Sequence, residues 1–147
     1  MLKLRKNKKG FTLVELIVVI AIMAVLAGTV AGVTVSQLNK QTDKTMASEA
    51  KGVADFISTW IIENNIELAD SMTTLASVKE TADSTDNLST ALTKQYNGKF
   101  EEGEGKKGQK LGVKIESKTI TVNYIGKTDK GSATYTINAE GIVTKTK

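Results

Sequence analysis

The chain has 147 residues, 40% of them apolar and 24% charged, enough for one ordinary domain with an appendage and too few for a second full domain. It contains no Cys and no His, which removes thiolate nucleophiles, disulfides, imidazole bases and the commonest zinc ligands together. Lys3, Arg5, Lys6, Lys8 and Lys9 supply five positive charges before residue 10, so removing that segment takes the net charge from +4 to −1 and leaves no strong case for nucleic-acid binding.

Residues 1–10, MLKLRKNKKG, form a basic tract ending in Gly10. From Phe11 to Val35 the chain runs 25 residues with a single charge, Glu15. At about 1.5 Å per residue such a helix crosses a hydrocarbon layer of about 30 Å with some tilt. The basic cluster predicts a single-pass orientation with the N-terminus cytoplasmic and the remainder outside. A carboxylate inside a membrane helix is costly and usually functional, which makes Glu15 a candidate assembly residue; the alternative is a charge resting among the lipid headgroups. Gly28 and Gly32 each weaken a helix by roughly 1 kcal/mol relative to alanine and are candidate points of helix flexibility.

From Ser36 to Leu68 the composition turns polar, yet Met46, Ala50, Val53, Ile57, Trp60, Asn64 and Leu68 recur at spacings of three or four, one face of an amphipathic helix. With no proline to interrupt it, a near-continuous helix is predicted from Thr12 to Leu68. Residues 69–110 read as a Ser/Thr/Asp-rich connection with a short helix at Asn87 to Tyr96. The connection ends in EEGEGKKGQK, whose spaced glycines and alternating charges read as a solvated turn. Its GEGKKG lacks the glycine spacing and the Lys-Ser/Thr end of a phosphate-binding loop.

From Leu111 the apolar period becomes two. Leu111, Val113 and Ile115, then Ile120, Val122 and Tyr124, then Ala133, Tyr135 and Ile137, and last Ile142 and Val143 mark short strands. Ser117-Lys118 and Ala139-Glu140-Gly141 have the length of hairpin turns, with Gly141 suited to positive φ. Antiparallel pairing is expected, because parallel neighbours would need long crossovers. The sheet's apolar side needs a cover, which the Met46 to Leu68 face provides. The predicted class is α+β. A long N-terminal helix, its first half transmembrane, packs its second half on a C-terminal antiparallel β-meander. No catalytic constellation stands out, so the chain is read as a non-enzyme without metal or cofactor.

Gly10-Phe11-Thr12-Leu13-Val14-Glu15, set after a lysine-rich leader and opening a long apolar helix, resembles the processing site of type IV pilins. The specific match covers about residues 1–35, and beyond it the likeness is architectural. The resemblance implies three parts: a cleaved leader at 1–10, a transmembrane and polymerisation helix at 11–35, and a soluble head at 36–147. It implies that a prepilin peptidase cuts between Gly10 and Phe11 and that the new Phe11 amine is N-methylated. In a filament of identical subunits, Glu15 of one helix then pairs with the Phe11 amine of a neighbour. An inner-membrane assembly platform with its ATPase, other minor pilins, and membrane lipid before assembly are the further partners implied. Many pilins carry a helix-kinking proline where this chain has Gly32, and many close a C-terminal loop with a disulfide that this chain cannot form.

The leading expectation is therefore a structural subunit of an extracellular type IV pilus, serving adhesion, twitching motility or biofilm formation. A pseudopilin of a secretion or DNA-uptake machine would share the same first 35 residues. A secreted binding protein with an ordinary signal peptide is the remote alternative, since Val25-Leu26-Ala27 has the small-residue spacing of a signal-peptidase site. Glu15 within the apolar stretch argues against that.

Overall fold

The computed structural model describes residues 10–81, 84–128 and 130–147. Apart from Gly10, the predicted leader lies outside the described residues. Helix α1 spans Leu13–Glu63, followed by a one-turn 3-10 helix at Leu75–Ser77 and helix α2 at Leu88–Tyr96. Five strands follow: β1 Phe100–Glu102, β2 Leu111–Glu116, β3 Thr119–Tyr124, β4 Ala133–Ile137 and β5 Val143–Lys145. The chain divides into two compact units, residues 1–37 and 38–147.

In the first unit α1 presents apolar side chains to its surroundings all round. Phe11 is 89% exposed, and the large apolar residues from Leu13 to Val35 are exposed in turn. A helix apolar on every side belongs in lipid or among other helices. It is long and apolar enough to cross a membrane. Its hydroxyls suit that setting, since Thr29 Oγ1 donates to the Leu26 carbonyl at 2.9 Å and Thr34 Oγ1 to the Val30 carbonyl at 2.8 Å. Each polar group is thus satisfied by its own helix.

In the second unit, called the head below, the five strands form one sheet in the order β1-β2-β3-β4-β5. From β2 to β5 the neighbours are antiparallel, as the period-two pattern predicts. Ala50, Val53, Ala54, Ile57 and Ile61 of α1 are buried in one core with Leu111, Val113, Ile120, Val122, Tyr124 and Ile137 of the sheet. Met46 and Trp60, placed on the same face by the sequence pattern, pack at the margin, partly buried.

Three details depart from expectation. Helix α1 ends at Glu63 rather than Leu68. Asn65 takes a φ of 50°, its amide donates to the Ile62 carbonyl, and the Ile66 amide reaches back to the Ile61 carbonyl at 3.0 Å. That is a Schellman stop, with asparagine tolerating the left-handed conformation and Ile66 packing into the core beside Ile61. Leu68 is buried, but from a loop, so its burial extends the helical spacing without extending the helix.

Residues 69–110 are also more than a connection, because Leu75, Val78, Leu88 and Leu92 are fully buried. Asn87 caps α2 by accepting from the Thr90 amide at 2.9 Å, which places the helix where the sequence predicts it. Tyr96 ties α2 to α1 through its hydroxyl, which donates to the Gly52 carbonyl at 3.1 Å, and through an edge-on contact with Phe56.

The third departure is β1, which pairs parallel to β2, Phe100 with Leu111 and Glu102 with Val113. The rule that parallel neighbours need long crossovers fails here for a geometric reason. A three-residue strand advances only about 10 Å, so the eight residues from Gly103 to Lys110 suffice to return the chain. The stretch read as a solvated turn is therefore partly buried. Gly105 packs against the backbone of Gly112, where a Cβ would fall 2.7 Å from the Gly112 nitrogen, and its amide donates to Asn123 Oδ1 at 3.2 Å.

Candidate processing and assembly site

The residues singled out by sequence sit together at the start of α1. Gly10 is exposed, and among the described residues nothing lies within 4 Å of where a side chain would begin. Absence of a side chain there permits close contact by a protease. Phe11 follows outside the helix, which begins two residues later at Leu13.

Thr12 and Glu15 form a capping box that sequence reading did not assign. The Thr12 amide donates to Glu15 Oε2 at 2.7 Å, the Thr12 hydroxyl donates to the same oxygen at 2.8 Å, and the Glu15 amide donates to Thr12 Oγ1 at 3.2 Å. Amide groups at a helix start have no partner within the helix, and a Thr-x-x-Glu spacing satisfies two of them reciprocally. The signal was present in the string Thr12-Leu13-Val14-Glu15. A negative side chain in the first turn also suits the positive end of the helix dipole.

Gly28 and Gly32 both lie in continuous helix with open space where a Cβ would stand. In the single chain, neither breaks the helix.

Sequence reasoning missed a second polar centre, in the head. Asp43 of α1 is 3% exposed and accepts four hydrogen bonds from the far end of β3 and the β3–β4 connection. Tyr124 Oη and the Lys127 amide donate to Oδ1, each at 2.8 Å. The Thr128 amide and hydroxyl donate to Oδ2 at 2.9 and 2.5 Å. Burial alone would push this carboxyl up, but the hydrogen bonds from Thr128, Lys127 and Tyr124 outweigh it and hold the pKa at about 2. Tyr124 is pushed up to about 12 by its own burial and by the neighbouring Asp43 carboxylate. Gly131 passes so close that a Cβ there would run into the Asp43 carboxylate. Nothing in the sequence marks Asp43 as different from other charged residues of an amphipathic helix. Its four donors are 81 to 85 residues away.

Among the described residues no set of three His, Cys, Asp or Glu side chains converges as metal ligands would. The four bonds at Asp43 leave it a structural pin, tying the start of the head's helix to one end of the sheet.

The fold and this N-terminal geometry define a class: an α+β chain of pilin-like layout, with a transmembrane-capable helix opened by a Gly-Phe junction and a first-turn carboxylate. Residues 5–31 match the prokaryotic N-terminal methylation motif, the type IV pilin and prepilin signature. Comparison with curated proteins and with solved structures finds no match. The chain thus carries the pilin signature, which in general implies prepilin-peptidase processing and filament assembly.

Proposed function

We propose that this chain is the structural subunit of an extracellular type IV pilus, cut between Gly10 and Phe11, methylated on Phe11 and polymerised through residues 11–35. The observation that carries the reading is the first unit: an accessible Gly10-Phe11 junction at the head of a helix whose apolar side chains are exposed all round. Lipid satisfies that surface before assembly, and neighbouring helices satisfy it in the filament. The domain parts follow: leader 1–10, polymerisation helix 11–35, head 36–147.

The role of Glu15 follows from the same geometry. Cleavage turns the Phe11 nitrogen into a cation four residues before a carboxylate. In a packed bundle that cation pairs with Glu15 of a neighbouring subunit, because leaving either charge unpaired in low dielectric is expensive. The capping box holds the carboxylate at the helix start until then.

Intact mass tests the processing step. The mature chain is expected to begin at Phe11 with one added methyl group, and Gly10→Val is expected to leave the precursor uncut in the membrane. A mature N-terminus at Gly28 would remove the polymerisation helix and overturn the reading. Electron microscopy with an antibody to the head then separates pilus from pseudopilus: labelled long surface fibres are expected, whereas processed chain confined to the envelope would make it a pseudopilin.

A further inference from the structure

The head carries opposite charge at its two ends, and the topology shows how. Helix α1 runs along the sheet from the β3–β4 connection, where Asp43 is held by Lys127 and Thr128, to the β4–β5 turn, where the Ser58 hydroxyl donates to the Gly141 carbonyl. At the first end Lys40 and Lys44 of α1 share a hollow with Lys130 of the β3–β4 connection, while the side chain of Lys127, from the same connection, lies over Gly108. Lys107 and Lys110 join them from the β1–β2 connection, whose Gly108 amide donates to the Ile125 carbonyl at 2.7 Å. All six lysines are exposed. None of them enters an ion pair among the described residues. Lys40, Lys44, Thr128 and Lys130 wall a hollow of about 420 Å³.

At the other end Glu63, Glu67, Asp70 and Glu140 are exposed, with Lys118 beside Asp70 at 3.8 Å. Ile62 and Ile142, 61% and 59% exposed, lie on the same end. Ile61, Ile62, Ile66 and Ala139 line a notch of about 240 Å³ whose charged members are Glu67 and Glu140. Lys44 and Glu63 are nineteen helical residues apart, about 30 Å, several times the screening length of about 8 Å at physiological salt. The two ends cannot neutralise one another within a molecule.

We propose that the carboxylate end of one head receives the lysine end of the next copy of this chain. A lysine side chain suits the notch in both its parts, with the aliphatic stem against Ile61, Ile62 and Ala139 and the ammonium toward Glu67 and Glu140. Because each copy offers one surface of each kind, the contact is heterologous and repeats without exhausting itself, the geometry of a filament. Exposed ion pairs are individually weak; their effect here is to set register between subunits whose apolar helices pack with little directional preference, and to reject like-to-like contacts. The inference rests on the polymerisation reading above and adds which head surfaces meet.

The chain has no cysteine, so an introduced pair reports one contact. Full-length Lys44→Cys/Glu140→Cys, expressed in cells lacking the native subunit and oxidised mildly in sheared filaments and in membranes, is expected to give a non-reducing ladder of dimer, trimer and higher species. Neither single variant should give more than a trace of dimer. A ladder lost on adding Lys40→Glu and Lys130→Glu, and recovered on adding Glu67→Lys as well, would establish that charge drives the contact. No ladder in the double variant overturns the proposal and leaves the lysine end to an anionic partner other than this chain. Strong dimers from either single variant overturn it too, since like ends would then be meeting. Intact mass of the same samples reports cleavage at Phe11 separately, so a failure of processing is not mistaken for a failure of the head contact.

Discussion

At the scale of single residues, two carboxylates sit in different settings, Glu15 at the exposed start of α1 and Asp43 buried in the head. Glu15→Ala is expected to be cleaved and membrane-bound but to yield few filaments. On the proposed reading the Gly10-Phe11 junction is untouched and the segment becomes more apolar, so insertion does not suffer, while the Phe11 amine would lose its proposed partner in the packed bundle. Because Glu15 also caps the helix, Thr12→Val serves as the control. It removes the threonine side of the box, worth about 1 kcal/mol, and should assemble nearly normally if the carboxylate's main role lies between subunits. Comparing processed chain in membranes with chain in sheared filaments reads both; equal filament yield from Glu15→Ala would reject the pairing. Asp43 belongs to the head alone. Its folded pKa of about 2 lies below the ordinary 3.8, so the stability it contributes is complete above about pH 4 and is lost as pH falls through about 2. Tyr124 is raised from 10 to about 12, so its contribution is complete below about pH 10 and is lost as pH rises through about 12. A thermal-melting plateau between those limits is expected. Asp43→Asn should lower it by roughly 10 °C, because it replaces an acceptor of buried donors with an amide that cannot serve them all. An unchanged melting temperature would show that water substitutes for the carboxylate.

At the scale of elements, the turns carry backbone conformations that their residues tolerate poorly. Ser117 and Lys118 have φ of 48° and 61°, and the register of Glu116 with Thr119 closes β2 and β3 over these two residues. That is a type I′ hairpin, for which Asn-Gly is the favoured pair. Ser117→Asn with Lys118→Gly should therefore stabilise the head by about 1 kcal/mol, read as a higher melting temperature with unchanged filament yield. No gain would mean that the side chains at this turn contribute as much as the relieved backbone. Gly141, at φ 77°, already has the residue its turn requires. The same reasoning explains the end of α1, where Asn65 supplies the left-handed stop and the apolar pattern misleads by continuing past it.

At the scale of the whole molecule, the helix holds through Gly28 and Gly32 in the single chain, where lipid makes unpaired backbone groups expensive. In a filament, neighbouring subunits replace the lipid, and the low propensity of Gly28, Thr29, Val30 and Gly32 is expected to let that stretch extend. Gly28→Ala/Gly32→Ala should then give filaments that stretch less under load, measured by force spectroscopy. A filament map with unbroken helix from Leu13 to Glu63 would reject the extension.

The sequence by itself determined the features that depend on neighbours in the chain. The apolar, transmembrane-capable helix, the methylation motif over residues 5–31, the period-two strands and the capped α2 are each written in a few consecutive residues, because hydropathy, helix caps and turn conformations are local. The parallel strand β1 was not legible, since three residues carry no period and their pairing depends on where the loop from Gly103 to Lys110 folds back. Nor were Asp43 and the opposed charges of the head's two ends. Their partners are distant in sequence, and only the packing of α1 along the sheet brings a buried carboxylate to Tyr124, Lys127 and Thr128 and gathers the lysines of three separate segments on one surface.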